Sequence, residues 1–379
     1  MNLPNTSITG VRTFSCFVLC LLSLVVKAQT DPQATKETKA LYRNLIKNQG
    51  KGVMFGHQDA LAYGLNEDGS RWTGGSDKSD VKTISGQHPA VIGWDLGHLE
   101  LDKPANLDNV PFKEMRRLTI EHYAKGGVIT FSWHPNNPLD PSKTTWDKVD
   151  FTIRNILNDP AKTDNYKKWL DKLAVFFNSL KDPHGTAVPV IFRPYHEHTG
   201  SWFWWGAGHC TPAEYKKFWE LTVNYLRKEK QVHHLLIAYS TDSFTSKEHY
   251  LERYPGNHFV DLLGFDLYHR NAPASNASFK ADFGRMVKTL EEIAAENNKP
   301  CIVSEMGIEK VTEADWWTNI VLPVVKDSRL SYFLVWRNGR PDHYYAPYKG
   351  QKSEKDFLKM IGTGKVLLLD KTTKLKLYK

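Results

Sequence analysis

Val188-Pro-Val-Ile-Phe-Arg-Pro-Tyr-His-Glu197, followed after a loop by Thr211-Pro-Ala-Glu-Tyr-Lys-Lys-Phe-Trp-Glu-Leu-Thr-Val-Asn-Tyr-Leu-Arg-Lys228 and then by Leu235-Leu-Ile-Ala-Tyr-Ser240, decides the fold. The first piece is apolar and β-branched and turns polar only towards its end, as a strand covered on both faces does. The second has apolar residues at spacings of three and four with polar residues opposite, and it opens with Thr211 as N-cap and Pro212 at the first helical position. The third is again a short apolar run. Strand, helix and strand in that order imply a parallel sheet with helices on its outer face.

The same alternation extends in both directions. Eight candidate strands recur, at 53–57, 90–95, 128–134, 188–196, 235–240, 260–266, 301–305 and 332–336, with amphipathic helices clearest at 113–124, 166–180, 212–228, 281–296 and 314–325. Eight such units make a single α/β (β/α)8 TIM barrel the expected fold, and residues 29–379 have the length for one. No linker, repeat or low-complexity tract divides them. Residues 1–28 read separately: Arg12, the apolar run from Phe14 to Val26 and then Ala28 form a secretory signal too short to span a bilayer, with cleavage expected after Ala28. An exported chain, periplasmic or secreted, follows. A lipid-anchored form is the lesser alternative, because Phe17, Val18 and Leu19 stand where small residues would precede Cys20.

The formal charge of +8 includes Arg12 and Lys27, so the mature chain carries +6. Those charges are dispersed, which favours solvated helix faces over a nucleic-acid patch. Of four cysteines only Cys210 and Cys301 lie beyond the leader, too few for a disulfide framework and not spaced as a metal site; they are expected to be free and buried. No glycine-rich phosphate loop follows a strand.

In such barrels the residues that end the strands converge on one pocket. Here these are His57, Asp95, His134, Glu197, Asp266 with Tyr268, Glu305, and Trp336 with Arg337. Glu197 and Glu305 close the fourth and seventh strands, which face each other across the mouth. Retaining glycosidic cleavage needs two carboxyl groups about 5–5.5 Å apart, one to protonate the leaving oxygen and one to attack the anomeric carbon. A salt-bridged rim position is the ordinary alternative for either glutamate alone. Arg193 shares the inward face with Tyr195 and Glu197 if the pleat is regular, and the sequence leaves open which glutamate it contacts. Tyr268 is placed to hydrogen-bond Glu305. Trp202-Phe-Trp-Trp205 suits a carbohydrate cleft, because aromatic faces pack on sugar C–H faces, although at least one of these tryptophans is expected to fill core space. His196, His198 and His57 raise a metal reading, but strand alternation would point both His196 and His198 away from Glu197.

Arg193-Pro-Tyr-His-Glu-His-Thr-Gly-Ser-Trp-Phe-Trp-Trp-Gly206 resembles the acid/base signature of glycoside hydrolase family 26, mainly β-mannanases. Met54-Phe-Gly-His57, Ser132-Trp-His-Pro135, Gly264-Phe-Asp-Leu-Tyr268, Ser304-Glu-Met-Gly307 and Val335-Trp-Arg337 follow in the family order. The resemblance implies Glu197 as proton donor, Glu305 as nucleophile and Tyr268 positioning it. It implies further that His134, Arg193 and His196 line the central subsite, that Trp202 packs near the scissile bond, and that Trp336 and Arg337 contact sugars on the non-reducing side. Trp146 and Trp72 are candidates for further subsites. The implied activity is endo-hydrolysis of mannan, glucomannan or galactomannan by a monomer without metal or cofactor. Cleavage of β-glucan or β-1,3-xylan, as by other family members, and a catalytically silent glycan-binding barrel are the rivals.

Overall fold

The computed structural model describes Met1, residues 30–75 and residues 77–379. The expected leader, residues 1–28, lies outside the described residues apart from Met1. Eight parallel strands close a barrel: β1 (Val53–Gln58), β2 (Val91–Asp95), β3 (Val128–Trp133), β4 (Val190–Pro194), β5 (Leu235–Thr241), β6 (Leu262–Tyr268), β7 (Cys301–Gly307) and β8 (Tyr332–Val335). Each pairs with the next in sequence, and β8 returns to β1 with Met54 opposite Tyr332 and His57 opposite Val335. This is the (β/α)8 barrel that the sequence predicts.

Two hydrophobic clusters explain why the strands are apolar on both faces. The larger packs outward residues such as Phe131, Phe192 and Phe265 against the helices; the smaller fills the interior with Met54, Val91, Ile191, Leu236, Leu262, Ile302 and Leu334. Interior space is tight at Gly264, where a β-carbon would run into the Ser304 hydroxyl. Cys210 and Cys301 are free and buried, as expected. Among the described residues no helix is long and apolar enough to cross a membrane.

One helix begins where its local signal places it, whereas two others begin earlier than the apolar spacing predicts. Thr211 and Glu214 form a reciprocal capping box at the start of Pro212–Asn224. Two helices are longer than expected, Pro160–Ser179 and Asn276–Asn297. The expected helix at 314–325 is instead a π-helical turn, Trp317–Val321, leading into Leu322–Val325. Pro323, which has no N–H for the i to i−4 ladder, falls at that junction. A hairpin of Tyr63–Leu65 and Arg71–Thr73 extends the loop after β1 and carries no strand-length apolar run.

Candidate active site

The stretch from Arg193 to Glu197 departs from the regular pleat. β4 stops at Pro194, and Tyr195 and Glu197 both take left-handed backbone conformations, with φ of 46° and 53°. Non-glycine residues rarely adopt this region, and it concentrates at functional sites. The twist overturns the expectations drawn from alternation for Tyr195 and His196, but not the one for His198. Tyr195 does not share a face with Arg193; its hydroxyl is buried among Tyr166 and Thr222 on the helical side. His196 and Glu197 instead both line one cavity, whereas His198 lies in the core between Tyr215 and Tyr239.

That cavity, about 560 Å³, opens at the carboxyl ends of the strands and brings together Glu197, Glu305, His134, His196, Trp202, Tyr268 and Trp336. Glu305 is 4 % exposed and its carboxylate is held from two sides. The Arg193 guanidinium donates to Glu305 Oε1 and, at 2.8 Å, to Asp266 Oδ2. The Tyr268 hydroxyl donates to Glu305 Oε2 at 2.8 Å. Arg193 therefore contacts Glu305, which the sequence left undecided. Burial opposes its charge, but the two carboxylates outweigh burial and hold it firmly protonated. Glu197 accepts one side-chain hydrogen bond, from Trp202 Nε1 at 2.6 Å. Burial, then the negative charges of Asp266 and Glu305, push its carboxyl well above the usual range. The two glutamates thus occupy opposite environments, one clamped by a guanidinium and a hydroxyl and one biased towards the protonated acid.

A second chain of polar groups sets the floor. Asp95, fully buried, accepts from Ser132 Oγ at 2.6 Å, from the Gly97 N–H at 2.7 Å and from His134 Nδ1 at 2.7 Å. Burial pulls the His134 imidazole down, but the charge and hydrogen bond of Asp95 more than reverse this. His196 moves the other way, lowered by burial and then by the cations Arg193 and His134. The two Nε2 atoms lie 3.1 Å apart, and the opposed shifts favour His134 over His196 as the ring that carries the extra proton.

Not every predicted residue reaches the cavity. Arg337 is not among the residues that line it and is paired at 3.0 Å with Asp108. His57 is buried beside Asn338, its imidazole pushed down to about 3 by burial, and so is a neutral core residue. Trp72, in the hairpin, is 7 % exposed and donates to Asp80 at the start of the following helix, and it does not line the cavity; Trp204 and Trp205 are fully buried. Trp146, by contrast, is 52 % exposed and stacks on His134 at the cavity wall. Asp242, Ser243 and Arg270 also line the cavity and were missed by the sequence reading, although Asp242 follows β5 just as the named residues follow their strands.

Among the described residues, His196, Asp266 and Glu305 bring possible metal-ligand atoms within 4.8 Å of one another. Arg193 already bonds both carboxylates, so the position a cation would neutralise is taken by a guanidinium.

A barrel whose strand ends present two carboxyl groups with opposed surroundings, inside an aromatic-walled cleft, is built as a glycoside hydrolase. The model of glycosyl hydrolase family 26 matches residues 30–336, and the chain belongs to that family. A solved family 26 β-mannanase from Bacteroides ovatus is similar at 40% identity, with a TM-score of 0.86 over 91% of this chain and 98% of that one. A mannan endo-1,4-β-mannosidase of Bifidobacterium adolescentis is 32% identical over 90% of this chain, which spans 35% of that protein's length. One from Bacillus subtilis is 24% identical over 86% of this chain and 89% of its own length.

Proposed function

We propose that the chain is an endo-acting β-1,4-mannanase that cleaves mannan, glucomannan or galactomannan by double displacement. The observation that carries the mechanism is the contrast between the glutamates: Glu305 is clamped by Arg193 and Tyr268, while Glu197 faces anions and, among the described residues, accepts only the Trp202 N–H from a side chain. Glu305 attacks the anomeric carbon as the glycosidic bond breaks, and Glu197 passes its proton to the leaving oxygen. In the second step Glu197 takes a proton from water, whose oxygen displaces Glu305 with net retention. Arg193 and Tyr268 keep the nucleophile oriented before attack. His134, His196, Trp202 and Trp336 are assigned to sugar binding, and Arg337 to its outer edge.

The mannan assignment draws on the family and on the relatives' names. Reducing-sugar release from mannan, mixed-linkage β-glucan and β-1,3-xylan tests it. Mannan is expected to be the preferred substrate, with activity abolished in both Glu197→Ala and Glu305→Ala. Activity that survives both changes would refute the assignment. Export of a monomer cleaved after Ala28 belongs to the same proposal, and N-terminal sequencing and light scattering of the mature protein test it.

A further inference from the structure

One wall of the cavity is built by groups the mechanism leaves unused. Asp242 and Ser243 directly follow β5, and Arg270 lies two residues beyond β6. The Asp242 N–H donates to Thr199 Oγ1 at 3.1 Å, and the Glu197 N–H donates to the Ser240 carbonyl at 3.0 Å. These bonds tie the end of β5 to the loop that carries Glu197, so the wall and the proton donor are positioned together.

The chemistry of this wall suits a sugar. Asp242 Oδ2 accepts from Ser243 Oγ at 3.2 Å and makes no ion pair among the described residues. The exposed Arg270 guanidinium lies 5.8 Å from the centre of the Tyr268 ring and likewise forms no ion pair among the described residues. A carboxylate and a guanidinium facing one cavity offer an acceptor and a fork of donors, the complement of adjacent sugar hydroxyls. Because Glu197 gives its proton to the departing oxygen, the sugar bearing that oxygen lies against the Glu197 side.

We propose that Asp242 and Arg270 bind the leaving-group sugar, Asp242 accepting from its hydroxyls and Arg270 donating to them. This rests on the mannanase reading above. Asp242 has a second effect through the same placement, since its charge adds to those that keep the Glu197 carboxyl high.

The test compares two substrates: mannopentaose, which departs as a sugar, and an aryl β-mannotrioside, which departs as a phenol and places no sugar on this wall. kcat/KM is measured for the wild type, Asp242→Asn, Arg270→Ala and Arg270→Lys, each at its own pH optimum so that titration of Glu197 does not enter the comparison. The first two changes are expected to reduce kcat/KM on the pentaose about tenfold more than on the aryl substrate, the effect of losing a hydrogen bond to a charged group. Arg270→Lys is expected to recover part of the loss. Equal losses on both substrates, or no loss on the pentaose, would overturn the proposal. A wild-type chain that cleaves neither substrate would overturn the mannanase reading, and this proposal with it.

Discussion

Replacing Arg193 with methionine keeps an unbranched apolar stem and removes the guanidinium with its charge. In the native structure this guanidinium is 3 % exposed and serves two carboxylates, Asp266 and Glu305, that are themselves almost wholly buried. After the change, among the described residues, Asp266 keeps only Ser240 Oγ at 2.8 Å as a side-chain donor, and Glu305 keeps only Tyr268. Breaking a buried pair by removing one partner costs about 3–5 kcal/mol, because a charge stays behind uncompensated. The pH dependence follows from the same geometry. The attraction needs an ionised carboxylate, and burial holds the Asp266 carboxyl well above its usual range even beside Arg193, so the contribution is lost as pH falls through that raised value. Urea unfolding at pH 7, 5.5 and 4 should therefore show a deficit of about 3–5 kcal/mol at neutral pH that narrows on acidification. A deficit below about 1 kcal/mol at pH 7, the size of an exposed pair, or one that widens towards pH 4, would refute the reasoning.

Tyr268→Phe removes one hydrogen bond to a buried anion, and kcat/KM on mannan should fall about tenfold to hundredfold with little change in unfolding temperature. Trp202→Phe removes the N–H that favours the Glu197 carboxylate, so the alkaline limb of the kcat/KM profile should move to higher pH; a shift the other way would show that Trp202 does not stabilise the anion. The pairing of Asp95 with His134 lowers one pKa and raises the other. Its contribution is present between them, lost at the acid end as pH falls through the Asp95 value and at the basic end as pH rises through the His134 value. Asp95→Asn should flatten stability across that interval, as read from denaturation midpoints at a series of pH values.

The barrel was legible because strands buried on both faces must be apolar almost throughout, and that pattern survives small errors in where each strand ends. Thr211-Pro212 gave the start of its helix because a cap is a local hydrogen-bonding arrangement. Tyr195 was misread for the opposite reason: two left-handed residues in a row of ordinary side chains leave no mark on periodicity, so the face of everything after Pro194 was uncertain. Arg193 is a middle case. Its inward position could be read, but its choice of Glu305 depended on a contact between β4 and β7. Asp242 and Arg270 were missed because they stand after the strands, in loops where a charged residue is unremarkable until a cavity is known to lie beneath it.

The left-handed backbone at Glu197 has a consequence for how such a site persists. That conformation costs a non-glycine residue about 1–2 kcal/mol, and the side chain it carries is held among anions that oppose its ionisation. Folding alone would favour glycine or asparagine here, and a chain released from selection for hydrolysis would drift towards a sturdier, silent barrel. In the proposed role, the residue at 197 is kept by use, against the preference of the scaffold that holds it.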